Sequence, residues 1–198
     1  MNKLTSDVTY YAKGTYFKRL IEITDRKFGK DSFKETANSM NIEMPEIILS
    51  STKYNWVECC KILEFLMNRN GVEHYDFYLE LTVYAVESDL NSIYKMFMGF
   101  SGPKFVLGMM PSISKAYNNW IPVEIITNES GYFKAKYSFP AIVHFEQFTP
   151  AAAVGAITAS INACKYKIDK ISYTNPRQSM EMSGKKEFEC EAWYSSII

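Results

Sequence analysis

Most of the signatures by which a chain declares its chemistry are missing here. The four cysteines (Cys59, Cys60, Cys164, Cys190) contain no C-x-x-C spacing, so neither a zinc knuckle nor a dithiol redox centre is written into the chain. Two histidines occur, His74 and His144. A Ser-His-Asp set can be assembled on paper, but no G-x-S-x-G elbow marks a nucleophile. There is no G-x-G-x-x-G and no Walker loop to cradle phosphates. Charge of neither sign prevails: Lys+Arg 22 cancels Asp+Glu 22, and no basic run appears, which disfavours nucleic acid as a partner. No apolar run approaches the ~18 residues of a membrane span, and the N-terminus lacks a signal peptide's apolar core. The expected setting is therefore the cytoplasm, with the cysteines held as buried thiols. What is plentiful is apolar surface: 47% hydrophobic and 15% aromatic residues, with ten methionines, in 198 residues. That supports one packed domain or two small subdomains, with room for an adaptable apolar pocket.

One stretch organises the second half. Residues Thr149–Cys164 predict a helix, with Thr149 at the N-cap and Pro150 at the first helical position. At about 100° per residue, Val154, Ile157, Ile161 and Cys164 share one face. Ala152, Gly155, Ala156, Ala159 and Ala163 share the other. A helix apolar on two sides is covered on two sides. The small face is expected to approach a sheet closely, and the bulky face to meet another layer.

Strands bracket that helix. Tyr132–Phe139 alternates strictly, Trp120–Thr127 precedes it, and Asn128-Glu-Ser-Gly131 makes the turn between them. Glu187–Tyr194 alternates again, and Tyr166–Tyr173 slips a register at Asp169-Lys170, as a bulge would. The order strand, strand, helix, strand, strand predicts a four-stranded antiparallel sheet crossed by one helix.

The first half reads as helices: Gly14–Phe28, then Asp31 capping a helix to Met40, then Tyr54–Asn68 closed by Gly71, then Val72–Val86. A fifth is expected to start at Ser88 or Asp89, with Leu90, Ile93, Phe97 and Phe100 inward. Phe105, Met109, Ile113 and Tyr117 recur at a spacing of four, although Pro111 must kink or restart that helix. The fold class is thus α+β, with a helical subdomain over residues 1–118 packed on a sheet-plus-helix subdomain over 119–198 and sharing its core.

Candidate functional residues are few. The stripe Phe105, Met109, Ile113, Tyr117 serves either as plain core or as the wall of a ligand cavity. His144 lies in a partly apolar run before the Thr149 helix, where a hydrogen-bonded structural histidine is expected. His74, beside Glu73 and Asp76, is expected at the surface. Glu187, Glu189 and Glu191 form a row on one strand face, read as solvated; a metal there would need converging ligands, and Glu181 is the nearby candidate.

Several strings resemble the haem nitric-oxide/oxygen binding (H-NOX) domain. Ala12-Lys-Gly-Thr15, Phe17-Lys-Arg-Leu-Ile-Glu22 and Lys27-Phe-Gly-Lys-Asp31 are similar to its opening helix and turn. Phe105-Val-Leu-Gly-Met-Met110 resembles the stretch leading to its proximal-ligand helix, and Val154-Gly-Ala-Ile157 its late glycine-bearing helix. Gly184 with Phe188-Glu-Cys-Glu191 resembles the closing hairpin of the related 4-vinyl reductase-like domains, and the length is similar to a non-haem myxobacterial paralogous family. The departures are chemical. The iron-binding histidine of the family aligns with Ile113. Its Tyr-x-Ser-x-Arg motif aligns with His144, Glu146 and Phe148, and Tyr137-Ser138 is followed by Phe139-Pro140 without an arginine. A carboxylate and a phenyl cannot grip two propionates.

The resemblance, less those residues, implies a non-catalytic bacterial sensory domain with no haem and no metal. It would bind a small hydrophobic molecule among Phe105, Met109, Ile113, Tyr117 and His144 and signal to a separate protein. The alternatives are a haem sensor with His144 or Cys60 on the iron, and a ligand-free interaction module, dimeric through an edge strand or the N-terminal helices.

Overall fold

The computed structural model describes residues 2–4, 9–93 and 102–197. Helix α1 (Gly14–Phe28) starts where the pattern places it. Its first residue must be glycine: a Cβ there would lie 1.9 Å from the Leu49 carbonyl oxygen. Helix α2 (Ser32–Ser39) follows Asp31, whose side chain caps nothing. The Asp25 carboxylate in the last turn of α1 takes that role, accepting from the Phe33 N–H at 3.1 Å and the Ser32 hydroxyl at 3.2 Å.

Helix α3 (Trp56–Asn70) is capped by Asn55, whose side chain accepts from the Val57 and Glu58 N–H groups, and closed by left-handed Gly71. Helix α4 (His74–Ile93) runs unbroken, and no new helix starts at Ser88 or Asp89. The buried stripe of Phe77, Leu81 and Ala85, with Tyr78 and Thr82 beside it, continues to Asp89 and Leu90, so packing carries the helix through two residues that favour caps. Phe97 and Phe100 lie outside the described residues. Helices α5 (Pro103–Gly108) and α6 (Met110–Tyr117) each carry a proline in the first turn, so Pro111 restarts the helix. Two small ladders that helical periodicity does not foresee tie this half together: β1 (Asn2–Lys3) pairs parallel with β3 (Ile42–Glu43), and β2 (Tyr11–Lys13) antiparallel with β4 (Lys53–Asn55).

The four expected strands are present as β5 (Val123–Glu129), β6 (Tyr132–Pro140), β7 (Tyr166–Tyr173) and β9 (Lys185–Ser196), with a two-residue β8 (Arg177–Gln178) added on β9. Pairing is antiparallel throughout, in the order β5-β6-β9-β7, so the last strand is interior. Gly131, at φ +85°, makes the β5–β6 turn, and the bulge between Ile168 and Lys170 sits where the alternation slips. One face buries Phe133, Ala135, Tyr137, Phe139, Phe188, Cys190, Ala192 and Tyr194. On the other, Lys134 meets Glu189 at 2.7 Å and Lys136 meets Glu124 of β5 at 3.0 Å, while Glu187, expected in solvent with the rest of its row, is buried. Among the described residues no three His, Cys, Asp or Glu side chains converge as a metal site.

The crossing helix, α7 (Val143–Ala163), begins seven residues earlier than Thr149-Pro150 predicts. Phe145 and Phe148, both buried, extend its apolar face and outweigh the capping preference. Thr149 is therefore inside the helix, its hydroxyl donating to the Phe145 carbonyl at 2.6 Å, and Pro150 withholds one ladder N–H. The two faces are also reversed. Gly155 meets α4, where an added Cβ would stand 2.9 Å from Thr82 Cβ and 3.0 Å from the Leu79 carbonyl oxygen. The opposite face, with Val154, Ile157 and Ile161, is left for the sheet, which α7 contacts along β7, β9 and β6. Among the described residues, no helix is long and apolar enough to cross a membrane.

Candidate functional site: a cavity between the helical half and the sheet

The small face of α7 does not fill all the space it faces. Beside Ala152, Ala153 and Ala156 a cavity of about 90 Å³ remains. Its walls come from both halves of the chain: Tyr16 of α1, Trp56 of α3, Thr82, Ala85 and Val86 of α4, and Met110, Ile113 and Tyr117 of α6. From the other half come Trp120, Ile121, Val123, Tyr137 and the start of α7 at Phe148 and Thr149. Among the described residues, no histidine, cysteine, lysine, arginine or carboxylate lines it.

Aromatic rings occupy the ground around it. Trp120 stacks on Phe145 with centroids 4.1 Å apart and on Trp56 at 6.0 Å; Phe148 meets Trp56 edge-on at 4.9 Å. These contacts join α3, α7 and the lead into β5 in one packed column. Trp120 is positioned by Asn118, whose side chain accepts from the Trp120 N–H at 3.1 Å and the Ile121 N–H at 3.0 Å. Asn119 fastens the same turn to the start of the chain, accepting from the Tyr11 N–H at 2.9 Å and donating to the Thr9 carbonyl at 2.8 Å. The two asparagines that mark the change of pattern in the sequence are thus the joint between the halves.

Polar side chains on the wall are hydroxyls, indoles and the Asn118 amide. Tyr16 and Thr82 hydroxyls lie 3.3 Å apart, and the Ser114 hydroxyl donates to the Ile121 carbonyl at 2.6 Å. Burial pushes the Tyr16 and Tyr137 phenols well up, so both are neutral. Tyr117 donates to Asp89, which also stands 3.8 Å from the Arg19 guanidinium. The Trp56 and Trp120 indole nitrogens and the Tyr137 hydroxyl are buried without a hydrogen-bond partner among the described residues.

Of the five residues singled out from the sequence, Ile113 and Tyr117 stand on this wall. Phe105 does not; it is 56% exposed, because the helix breaks at Met109 and α5 turns Val106 and Leu107 inward instead. Met109 is half-buried at that break, and Met110 takes the wall position. His144 is remote from the cavity: its Nδ1 lies 2.7 and 2.8 Å from the two carboxylate oxygens of Glu64, where it clamps the first turn of α7 to α3. His74, at the start of α4, adds a second clamp, 2.8 Å from Gln147 and 3.0 Å from Asn68. Cys60 is fully buried, absent from the wall, and its thiol is pushed well up by burial. Sequence reading missed Tyr16, Trp56, Trp120 and Tyr137. The available signal was the alanine face itself: small residues leave room, and room belongs on that side.

This architecture is the H-NOX fold. Among solved structures, a Cs H-NOX mutant carrying 4-cyano-L-phenylalanine superposes with a TM-score of 0.74 over 94% of this chain and 98% of its own, at 13% identity. An oxygen-binding H-NOX domain related to soluble guanylate cyclases, solved as its oxygen complex, gives 0.70 over 93% and 95%, at 15% identity. A point mutant of the T. Tengcongensis H-NOX protein gives 0.72 over 94% and 100%, at 14% identity. No protein-family model and no curated protein matches the sequence.

Proposed function

We propose that this chain is a non-catalytic sensory domain that holds a small, chiefly apolar molecule, and not haem, in the cavity beside Ala152 and Ala156. The observation that carries the reading is the cavity's place: about 90 Å³ walled by both halves of an H-NOX fold. Ligand pockets for drug-sized molecules span ~300–1,000 Å³; a second pocket of about 400 Å³ borders this one at Val86, Ile113 and Tyr117, so wall chemistry and not size argues against haem. A space of ~150 Å³ lined by apolar groups takes benzene or xenon.

The wall residues argue in the same direction. Iron would find no imidazole or thiol; the phenols of Tyr16 and Tyr137 are held neutral by burial, and Met110 offers a thioether alone. Two propionates would find no guanidinium or ammonium on the wall. Trp56, Trp120 and Phe148 pack on one another at this wall, with centroids 4.9 to 6.0 Å apart.

A ligand seated here touches α1, α4 and α6 on one side and β5, β6 and α7 on the other. It therefore favours whichever packing of the two halves fits it best, and a separate protein would read that arrangement. Proton–nitrogen spectra under xenon pressure test the reading. Saturable shifts at Trp120, Tyr137 and Ala156 are expected, and they are lost in Ala152→Leu, which fills the space. Absence of any saturable xenon effect contradicts it.

A further inference from the structure

Three of the cavity's side chains carry a buried polar atom without a hydrogen-bond partner: Trp56 Nε1, Trp120 Nε1 and Tyr137 Oη. Trp56, Trp120 and Tyr137 are exposed by 0%, 3% and 2%, so bulk water does not serve them. Buried donors are almost always paired, and an unpaired one is costly. All three belong to side chains that line one cavity, although each polar atom itself is covered. Each comes from a different element: the first residue of α3, the lead into β5, and the middle of β6.

We infer that the ligand of this cavity is a hydrogen-bond acceptor: a compact carbonyl compound or ether of about four heavy atoms, by scaling from the ~150 Å³ that holds benzene. The inference rests on the ligand-binding reading above and narrows it. Indole N–H groups donate only, and a buried phenol offers its proton to any acceptor within reach. The other hydroxyl pair on the wall, Tyr16 and Thr82, is engaged with itself, and the Ser114 hydroxyl is spent on a carbonyl. With no carboxylate on the wall among the described residues, an ammonium finds no counter-charge; with no cation among them, neither does a carboxylate. A hydrocarbon of the same size fits but leaves the three donors unpaired.

Each donor atom is covered by its neighbours, so an acceptor reaches it only by turning the ring that carries it. Those rings are the column that joins the halves: Trp120 lies on Phe145 and Trp56, and Tyr137 lies on Phe188 at 5.2 Å. Pairing a donor therefore alters the contact between α3, α7 and the sheet, whereas filling the space with an inert group does not.

Acetone and isobutene share a shape and differ in the acceptor, which makes them the probes. Both are titrated into the intact chain and into Tyr137→Phe, following the indole N–H resonances of Trp56 and Trp120. Acetone is expected to move at least one indole proton downfield, and to bind about tenfold more weakly to Tyr137→Phe, while isobutene changes by less than about twofold. An equal effect of the substitution on both probes, or no downfield indole shift with acetone, overturns the acceptor inference and leaves the pocket in place. If neither probe nor xenon saturates the protein, the pocket reading itself fails.

Discussion

Gly155 of α7 rests directly on Thr82 of α4; a methyl group at Gly155 would stand 2.9 Å from the Thr82 Cβ. This contact sets how closely the crossing helix lies on the helical half. It also fixes the space beside it, because Thr82, Ala152 and Ala156 are all cavity wall.

Gly155→Ala follows from that geometry. Alanine gains about 1 kcal/mol of helix propensity over glycine, yet overpacking against the Thr82 side chain and the Leu79 carbonyl costs about 1–3 kcal/mol. The expected net effect is a loss of stability of up to about 2 kcal/mol, by urea titration. Thr82→Ala in the same background should recover part of it, and the double-mutant cycle gives the coupling.

His144→Ala separates clamp from pocket. The His144–Glu64 pair is half-sheltered, with side chains 19% and 18% exposed. Its removal should cost about 0.5–1.5 kcal/mol and leave xenon binding unchanged. A change in xenon affinity would place His144 at the site after all.

Incubation with haemin should produce no stoichiometric Soret band, in the wild-type chain or in Ile113→His. The substitution supplies an imidazole on the cavity wall, but among the described residues no wall cation meets the propionates. A full Soret band in the wild type would overturn the non-haem reading; one in the variant alone would show that the wall yields more easily than its packing implies.

Alkaline conditions should unfold the protein early. Burial lifts the Cys59 and Cys60 thiols well above their ordinary range and Cys190 to about 12. The phenols of Tyr16 and Tyr137 rise by the same cause. All five have folded values above their unfolded ones, so the folded state holds protons that the unfolded chain releases. Stability is then fully present below about pH 8.5, and falls as pH rises past the unfolded thiols and, near about pH 10, the unfolded phenols. Urea titrations from about pH 7 to 11 check this, and Cys190→Ala should flatten the slope.

How far the sequence disclosed this molecule varies with what each signal depends on. Alternation marked β6 and β9 because one face of the sheet is buried, and the register slip at Asp169-Lys170 marked a real bulge. Local chemistry placed Gly71 at the end of α3. It failed at Thr149-Pro150, where buried Phe145 and Phe148 carry the helix backwards through a favourable cap, and at Ser88-Asp89, where packing carries α4 onward. The reversal of the α7 faces has the same origin: periodicity shows that two faces are covered and says nothing of what covers which. The cavity was half legible. Ile113 and Tyr117 stand on its wall, but Phe105 and Met109 do not, since the helix break at Met109 shifts the phase. Trp56, Trp120 and Tyr137 come from three separate elements, and no spacing along a chain brings such residues together.

The most direct measurement is a crystal structure determined under xenon pressure. The account predicts one ordered xenon site bounded by Trp120, Tyr137, Ile113 and Ala156, with the aromatic column intact around it. Crystals with no xenon between α4, α7 and the sheet, or with a porphyrin in that space, would contradict it.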